Sequence, residues 1–161
     1  MDDSRTIEVI VEIPRGSRNK YEMDHETHTI YLDRVLYSSV HYPTDYGFVP
    51  HTMAADGDPL DVLIIVEEPT FPGCRLRVRP IGVLLMRDEA GIDEKILAVP
   101  VVDPRFDNVR DLSDLGPHWL VEIENFFNTY KLLEDKPTEV EGWRGRREAH
   151  DALDRYTLPQ D

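Results

Sequence analysis

The sequence predicts an α+β domain in which strands, arranged as a mainly antiparallel sheet or barrel, precede a helical part. Stretches with strand-like alternation or short apolar runs fill the chain up to about Asp103, and apolar residues recur at helical spacing only beyond it. The length of 161 residues suits one compact domain with a hydrophobic core of its own. We therefore expect a single domain over residues 1–161, with strands over about 6–103 and helices over about 112–156.

Three strands are predicted in the N-terminal part, at residues 6–13, 20–24 and 29–36. In the first, apolar side chains occupy every second position, and Glu12 belongs to the opposite face. The second places Lys20 and Glu22 on one face, because alternate side chains of a strand point the same way. The third carries Arg34.

The middle of the chain predicts a loop followed by three strands. Residues 41–59 contain three prolines and two glycines, which is typical of a loop. The apolar run 62–66 predicts a short strand buried on both faces. Residues 75–87 and 95–102 predict a hairpin across the acidic turn 88–93.

The C-terminal part predicts two helices. Pro117 marks the first turn of a helix whose apolar positions continue to about Leu133. Residues 134–142 are expected to be a connection, and 144–156 a short helix that buries Ala149, Leu153 and Tyr156.

Composition excludes several classes of function. The chain has 32 acidic and 18 basic residues, a formal charge of −14, so its surface repels nucleic acids and anionic membranes. No apolar run is long enough to cross a bilayer, and the N-terminus lacks the basic and apolar regions of a secretory signal. The single cysteine, Cys74, permits no intrachain disulfide. We expect a cytoplasmic protein.

The strongest local signal is an acidic turn, Asp56-Gly57-Asp58-Pro59-Leu60-Asp61, that leads into a buried strand. Hard divalent cations prefer oxygen ligands, and a turn brings carboxylates close together. The spacing does not fit an EF-hand loop. An ordinary aspartate-rich turn remains open on spacing alone.

A second acidic turn contains Asp88 and Asp93, although by itself it is better explained as an ordinary hairpin tip. Cations such as Lys131 could bind phosphate oxygens, and a surface charge or a lysine at a helix C-terminus remains the alternative. Tyr42 and Tyr46 could donate hydroxyl hydrogen bonds, although aromatic residues beside proline and glycine are more often loop anchors. The sequence contains no phosphate-binding P-loop, no nucleophile elbow and no zincin histidine pair.

Taken together, these segments resemble the family I soluble inorganic pyrophosphatases of the compact prokaryotic type. The family signature is DGDPLDV, and eight further motifs occur in the family's order between about Ile7 and Trp143: VEIPRG, NKYE, LDR, YPTDYGF, RPIGVL, DEAGIDEK, FFNTYK and VEGW. The resemblance implies a five-stranded OB-like barrel flanked by C-terminal helices. It also implies hydrolysis of inorganic pyrophosphate to two phosphates and a homo-oligomer, usually a hexamer.

The resemblance also implies a metal set. Asp56, Asp61 and Asp93 would ligate a first activating Mg²⁺, with Asp61 shared by a second. Asp88 and Asp93 would hold a metal that arrives with the substrate, and Glu22 would reach a further one. Mn²⁺ or Zn²⁺ could substitute.

The remaining roles implied by the resemblance concern the substrate. Asp58 would take a proton from the attacking water. The groups that would bind phosphate oxygens are Lys20 and Tyr46 at the phosphate under attack, and Arg34, Tyr130 and Lys131 at the leaving phosphate. Glu12, Tyr42 and Lys95 would have supporting roles.

Such a residue set suits the reaction, because metals generate a nucleophilic water near neutral pH and cationic side chains neutralise charge on the leaving phosphate. Three other interpretations remain open: a hydrolase of another phosphoanhydride, a non-catalytic OB-fold binding module, and an inactive scaffold. The acidic balance disfavours the binding module, since nucleic-acid-binding OB folds present a basic groove.

Overall fold

A computed structural model describes residues 5–160, in which eight strands and two α-helices occur. The strands are β1 (Ile7–Ile13), β2 (Asn19–Asp24), β3 (Thr29–Val35), β4 (Asp45–Phe48), β5 (Asp61–Ile64), β6 (Arg75–Asp88), β7 (Gly91–Pro100) and β8 (Glu139–Gly145). The helices are α1 (Pro117–Thr129) and α2 (Arg146–Tyr156). No helix within residues 5–160 is long and apolar enough to span a membrane.

The main sheet has six strands in the order β1-β4-β5-β7-β6-β8. Because β1 also pairs with β6, five of these strands form a closed ring of pairings, and β8 is added to β6 outside it. All pairs are antiparallel except β5–β7. The predicted α+β class with a mainly antiparallel sheet is confirmed.

Strands β2 and β3 form a separate two-stranded sheet beside β1. Lys20 and Arg34 are partners in its register, so two cations predicted to bind substrate lie side by side. This small sheet forms one wall of the cavity described below.

Two hydrophobic clusters pack on opposite faces of β5. Leu63 belongs to the cluster with Phe126 and Phe127 of α1, and Val62 belongs to the cluster with Leu153 of α2. Consecutive residues of a strand point to opposite faces, so β5 is buried on both, as its continuous apolar run predicts.

Two segments differ from the sequence prediction. The loop expected at 41–59 contains β4, whose Gly47 backbone approaches β1 so closely that a Cβ would lie 2.0 Å from the Ile10 carbonyl oxygen. A glycine with loop-like neighbours here marks close strand pairing. The connection expected at 134–142 contains the start of β8, which lacks a clear apolar alternation because it is an outer strand.

The helices are also shorter or less buried than predicted. α1 ends at Thr129, and a short 3-10 turn, Leu132–Glu134, follows it. In α2, Ala149 and Leu153 are buried as expected, whereas Tyr156 is half-buried and donates its hydroxyl to Glu94 Oε1 at 2.7 Å. Since β8 lies between the helices, the strands do not all precede them.

Candidate active site

A cavity of about 670 Å³ opens between the strand ring and the β2–β3 sheet. Residues far apart in sequence meet there because β1, β4, β5, β6 and β7 bring one end of each strand to it, and the segment after α1 closes one side. The predicted site residues that line it are Glu12, Lys20, Glu22, Arg34, Tyr46, Asp56, Asp58, Asp61, Asp88, Asp93, Lys95, Tyr130 and Lys131.

Tyr42 is the predicted site residue that does not line this cavity. It is 2% exposed and lies behind the wall, with its ring centroid 5.6 Å from that of Tyr46 and 4.5 Å from that of Phe126. In this position Tyr42 supports Tyr46 by packing and does not face the cavity.

Lys95 is at the centre of the buried part of the site. Its Nζ donates to Tyr46 OH at 2.8 Å and to Asp61 Oδ2 at 2.9 Å, and it lies 2.9 Å from Asp93 Oδ2. The parallel register that pairs Asp61 with Lys95 on β5 and β7 brings these groups together. Burial lowers the pKa of Lys95, but Asp61, Tyr46 and Asp93 outweigh burial and raise that pKa well above its usual range. Lys95 is therefore a permanent cation.

The carboxylates around Lys95 are crowded. Burial raises the pKa of Asp61, Asp93 raises it further, and Lys95 opposes both. Burial also raises the pKa of Glu12 to about 7, although Glu12 accepts a 2.8 Å hydrogen bond from the Met23 backbone N–H that lowers it. An additional cation in the cavity would stabilise the ionised forms of these carboxylates.

Lys20 and Glu22 form an ion pair on one face of β2. The second oxygen of Glu22 accepts a 3.0 Å hydrogen bond from Tyr31 OH, and Lys20 Nζ lies 3.5 Å from Asp33 Oδ2. Burial acts to raise the pKa of Glu22, but the pairing with Lys20 and the Tyr31 hydrogen bond lower it overall. Glu22 is thus held as an anion at the cavity wall.

A second group of cations lies where α1 ends. Lys131 Nζ is 5.3 Å from the centre of the Tyr130 ring, and burial followed by the charge of Arg34 lowers the pKa of Lys131. Burial raises the pKa of Tyr130 to about 12, so its hydroxyl keeps its proton. Arg34 Nη1 donates to Glu134 Oε1 at 2.7 Å. The three side chains present hydrogen-bond donors to one end of the cavity.

Asp56 and Asp58 lie on an exposed turn at the cavity mouth. The turn is closed by a 3.0 Å hydrogen bond from the Asp58 backbone N–H to Asp56 Oδ1, and Gly57 has the positive φ of 88° that the turn requires. The carboxylate of Asp58 makes no hydrogen bond to the protein among those described, so it is available as an acceptor.

The donor set fits a hard divalent cation. Nine carboxylates and four cationic side chains line the cavity, a formal excess of five negative charges. As the side chains stand, no three His, Cys, Asp or Glu residues within 5–160 are close enough to enclose a metal ion. Mg²⁺ retains several waters and uses few carboxylates, so dispersed aspartates around a hydrated cavity suit it.

Several residues at the site are not predicted from the sequence. Tyr31, Asp33 and Glu134 contact predicted site residues, and His25 lines the cavity with its ring edge-on to Phe48 at 5.0 Å. Alternation along β3 places Tyr31 and Asp33 on one face and Arg34 on the other, so the two-residue period does not link them to Arg34. Their contacts with Glu22 and Lys20 arise from the pairing of β3 with β2, which the sequence does not specify. No local pattern indicates Glu134, because it contacts a strand that is 100 residues away in sequence.

A cavity beside a ring of strands, lined by one buried lysine, three partly exposed cations and a surplus of carboxylates, defines a class of protein, one that binds a polyanion together with divalent cations. Residues 9–158 match the family profile described as inorganic pyrophosphatase. The chain belongs to the inorganic pyrophosphatase family.

Relatives and solved structures agree with this assignment. The chain is 56% identical over 138 residues to an inorganic pyrophosphatase of Synechocystis, covering 86% of this chain and 82% of that one. It is 54% identical over 149 residues to one from Streptomyces coelicolor, covering 92% and 91%. The fold is similar to the inorganic pyrophosphatase of Thermus thermophilus, with a TM-score of 0.90, 43% identity and coverage of 96% and 91%.

Proposed function

We propose that this protein hydrolyses inorganic pyrophosphate to two phosphates in a reaction that depends on Mg²⁺. The observation that carries the proposal is the cavity itself, which is lined by four cationic side chains and nine carboxylates. Pyrophosphate is a compact polyanion, and such a cavity can bind it only with both kinds of group, because cations neutralise its charge and carboxylates hold metals.

We assign the side chains to two ends of the substrate. Lys20 and Tyr46 contact the phosphate under attack, and Arg34, Tyr130 and Lys131 contact the leaving phosphate. Lys20 lies on β2 and Arg34 beside it on β3, whereas Lys131 reaches the cavity from the segment after α1. This arrangement would orient the anhydride bond across the cavity and place positive charge where the leaving phosphate gains negative charge.

Asp58 accepts the proton of the attacking water in this proposal. Asp58 is exposed to solvent at the mouth of the cavity, and its carboxylate has no hydrogen-bond donor from the protein among the described contacts. A carboxylate with no hydrogen-bond donor from the protein has its oxygens available to accept a proton from water.

Asp56, Asp61, Asp88, Asp93 and Glu22 would hold Mg²⁺, and Mn²⁺ or Zn²⁺ could take its place. When bound, the metal lowers the pKa of water and neutralises phosphate charge. Lys95 forms ion pairs with Asp61 and Asp93, and its charge favours the ionised form of Asp61 against the effect of burial. Glu12 supports this set from the cavity wall, and Tyr42 supports it from behind the wall by packing against Tyr46.

The proposal extends to the whole molecule. The closed ring of five strands supports an OB-like barrel over about residues 6–103 with the helical part at about 112–156, all in one domain. We also propose a cytoplasmic homohexamer whose ligands are pyrophosphate and phosphate, with no nucleic-acid or membrane partner, in keeping with the charge of −14.

The test is phosphate release from pyrophosphate, with ATP assayed in parallel, in Mg²⁺ and again in excess chelator. We expect rapid release from pyrophosphate in Mg²⁺, little from ATP, and loss of release in chelator that added Mg²⁺ restores. Release from ATP at a similar rate would favour a broader phosphoanhydride hydrolase. Release from neither substrate by the folded protein would favour a binding module or scaffold.

A further inference from the structure

Glu134 is a buried glutamate that has no role in the proposed reaction so far. Its side chain is 6% exposed, and Oε1 accepts the 2.7 Å hydrogen bond from Arg34 Nη1 across 100 residues of sequence. Burial of a carboxylate costs free energy unless a partner compensates it, so this ion pair places a strong constraint on both side chains.

The backbone fixes where Glu134 lies. It ends the 3-10 turn Leu132–Glu134, and its N–H donates to the Lys131 carbonyl at 3.0 Å. Asp135 then adopts the left-handed conformation, with φ of 56°, and closes the turn on Leu132 at 3.2 Å. Glu134 and Lys131 are therefore held as one rigid unit at the end of α1.

The ion pair holds Arg34 at a single point. Arg34 Nε and Glu134 Oε2 are buried and have no hydrogen-bond partner in residues 5–160. A bidentate pair would use two donors of the guanidinium, whereas this pair uses Nη1 alone, and the Arg34 side chain remains 23% exposed and lines the cavity. The geometry thus restrains Arg34 while it preserves its capacity to bind phosphate oxygens.

A competing carboxylate lies next to Arg34. Asp33 Oδ2 is 3.9 Å from Arg34 Nε and 3.5 Å from Lys20 Nζ. Arg34 and Lys131 are also like charges at the same end of the cavity. Without Glu134, the guanidinium would be drawn towards Asp33 and away from Lys131.

We propose that Glu134 is a positioning residue that fixes Arg34 beside Lys131, and so joins the β2–β3 sheet to the end of α1 at the leaving-phosphate end of the cavity. This inference rests on the proposed function of the site. Its consequence is that Glu134 acts on the reaction only through Arg34.

A double-mutant cycle tests this consequence. We expect Glu134→Ala to lower kcat/KM about tenfold to a hundredfold, the order of effect of misplacing one binding group. In an Arg34→Ala background the same change should lower it less than about twofold, since coupled residues are not additive. Glu134→Gln should retain part of the activity, because its amide oxygen still accepts a hydrogen bond from Arg34.

Asp135→Asn is the matched control. It removes one negative charge from the same turn at an exposed position, and asparagine tolerates the left-handed conformation. We expect kcat/KM within about twofold of the parent, because an exposed charge contributes little. Thermal melting of each variant reports whether a loss of activity reflects unfolding.

Two results would overturn the proposal: an equal loss from Glu134→Ala with and without Arg34, or a lowered melting temperature with unchanged kcat/KM. Inorganic phosphate affinity, measured by calorimetry in Mg²⁺, repeats the cycle without turnover. If the parent protein lacked pyrophosphatase activity, the proposed function would fail. The phosphate cycle would still decide whether Glu134 acts through Arg34.

Discussion

Lys95 and Asp61 illustrate how single residues set the chemistry of the cavity. The buried Lys95 ammonium lies 2.9 Å from a carboxylate oxygen of both Asp61 and Asp93, so one cation compensates part of the charge of two neighbouring, partly exposed carboxylates. The same carboxylates face the cavity, where a divalent cation can share them. One lysine thus opposes the effect of burial on the pKa of Asp61 and holds the two carboxylates at neighbouring positions on the cavity wall.

The first prediction concerns Asp61. We expect Asp61→Asn to weaken Mg²⁺ activation and lower kcat, because an amide supplies a neutral oxygen in place of a shared anionic ligand. The measurement is kcat as a function of Mg²⁺ concentration. Glu67→Gln, an exposed position away from the cavity, is the control. A Mg²⁺ dependence like that of the parent would remove Asp61 from the metal set.

The second prediction concerns Lys131. We expect Lys131→Ala to cost roughly 2–4 kcal/mol of transition-state stabilisation, by analogy with loss of an oxyanion donor. The steady-state kcat/KM measures this directly. Lys136→Ala removes an exposed lysine five positions away and should leave kcat/KM near the parent value. An unchanged kcat/KM in Lys131→Ala would place Lys131 outside the reaction.

At the scale of elements, close backbone approach determines the pairing of β4 with β1. A Cβ on Gly47 would lie 2.0 Å from the Ile10 carbonyl oxygen and 2.9 Å from Val11 Cα, both of which are backbone atoms. Backbone cannot swing aside as a flexible side chain can. The strand carries Tyr46, whose hydroxyl contacts Lys95, so the pairing also positions part of the site.

The third prediction follows from this contact. Gly47→Ala should lower the free energy of unfolding by about 2 kcal/mol or more, in the range of severe steric changes. Urea unfolding in chelator measures it without a contribution from metal binding. At Gly116 the nearest atom to an added Cβ is 3.9 Å away, so Gly116→Ala should cost less than about 1 kcal/mol. Equal effects of the two substitutions would contradict the steric argument.

Sequence patterns predicted the elements that carry strong periodicity or continuous apolar runs. The alternation in β1, the apolar run of β5 and the helical spacing of α1 each correspond to an observed element. β4 was missed because its close pairing with β1 requires a glycine, which interrupts the apolar pattern. β8 was missed because an outer strand lacks a clear apolar alternation.

The same limit applies to the cavity. Spacing alone identified the turn with Asp56, Asp58 and Asp61 as a candidate metal site. Only the family resemblance predicted that cations distant in sequence lie near this turn. The structure places those residues around one cavity, since the ends of several strands meet there. Glu134 could not be predicted, because its role depends on a contact between separate elements.

At the scale of the whole molecule, large apolar side chains remain on the surface of a single chain. Val102 is 83% exposed, Tyr37 66%, Leu133 65% and Phe71 63%. Scattered apolar residues are normal on monomers, so exposure alone does not define an interface. The homohexamer implied by the family resemblance would give at least some of these side chains a partner.

The last prediction is therefore the assembly state. Sedimentation equilibrium at moderate salt should give a mass six times the 18.6 kDa of one chain. Each chain carries a formal charge of −14, so repulsion between subunits should weaken assembly at low ionic strength and in chelator, where counterions no longer screen it. Added Mg²⁺ should restore the full mass, because cations bound in the acidic cavities reduce that repulsion.

A monomer mass under all these conditions would contradict the hexamer. A mass equal to another multiple of the chain mass would correct the number of subunits. An assembly mass that does not change with salt would show that charge repulsion between subunits is minor.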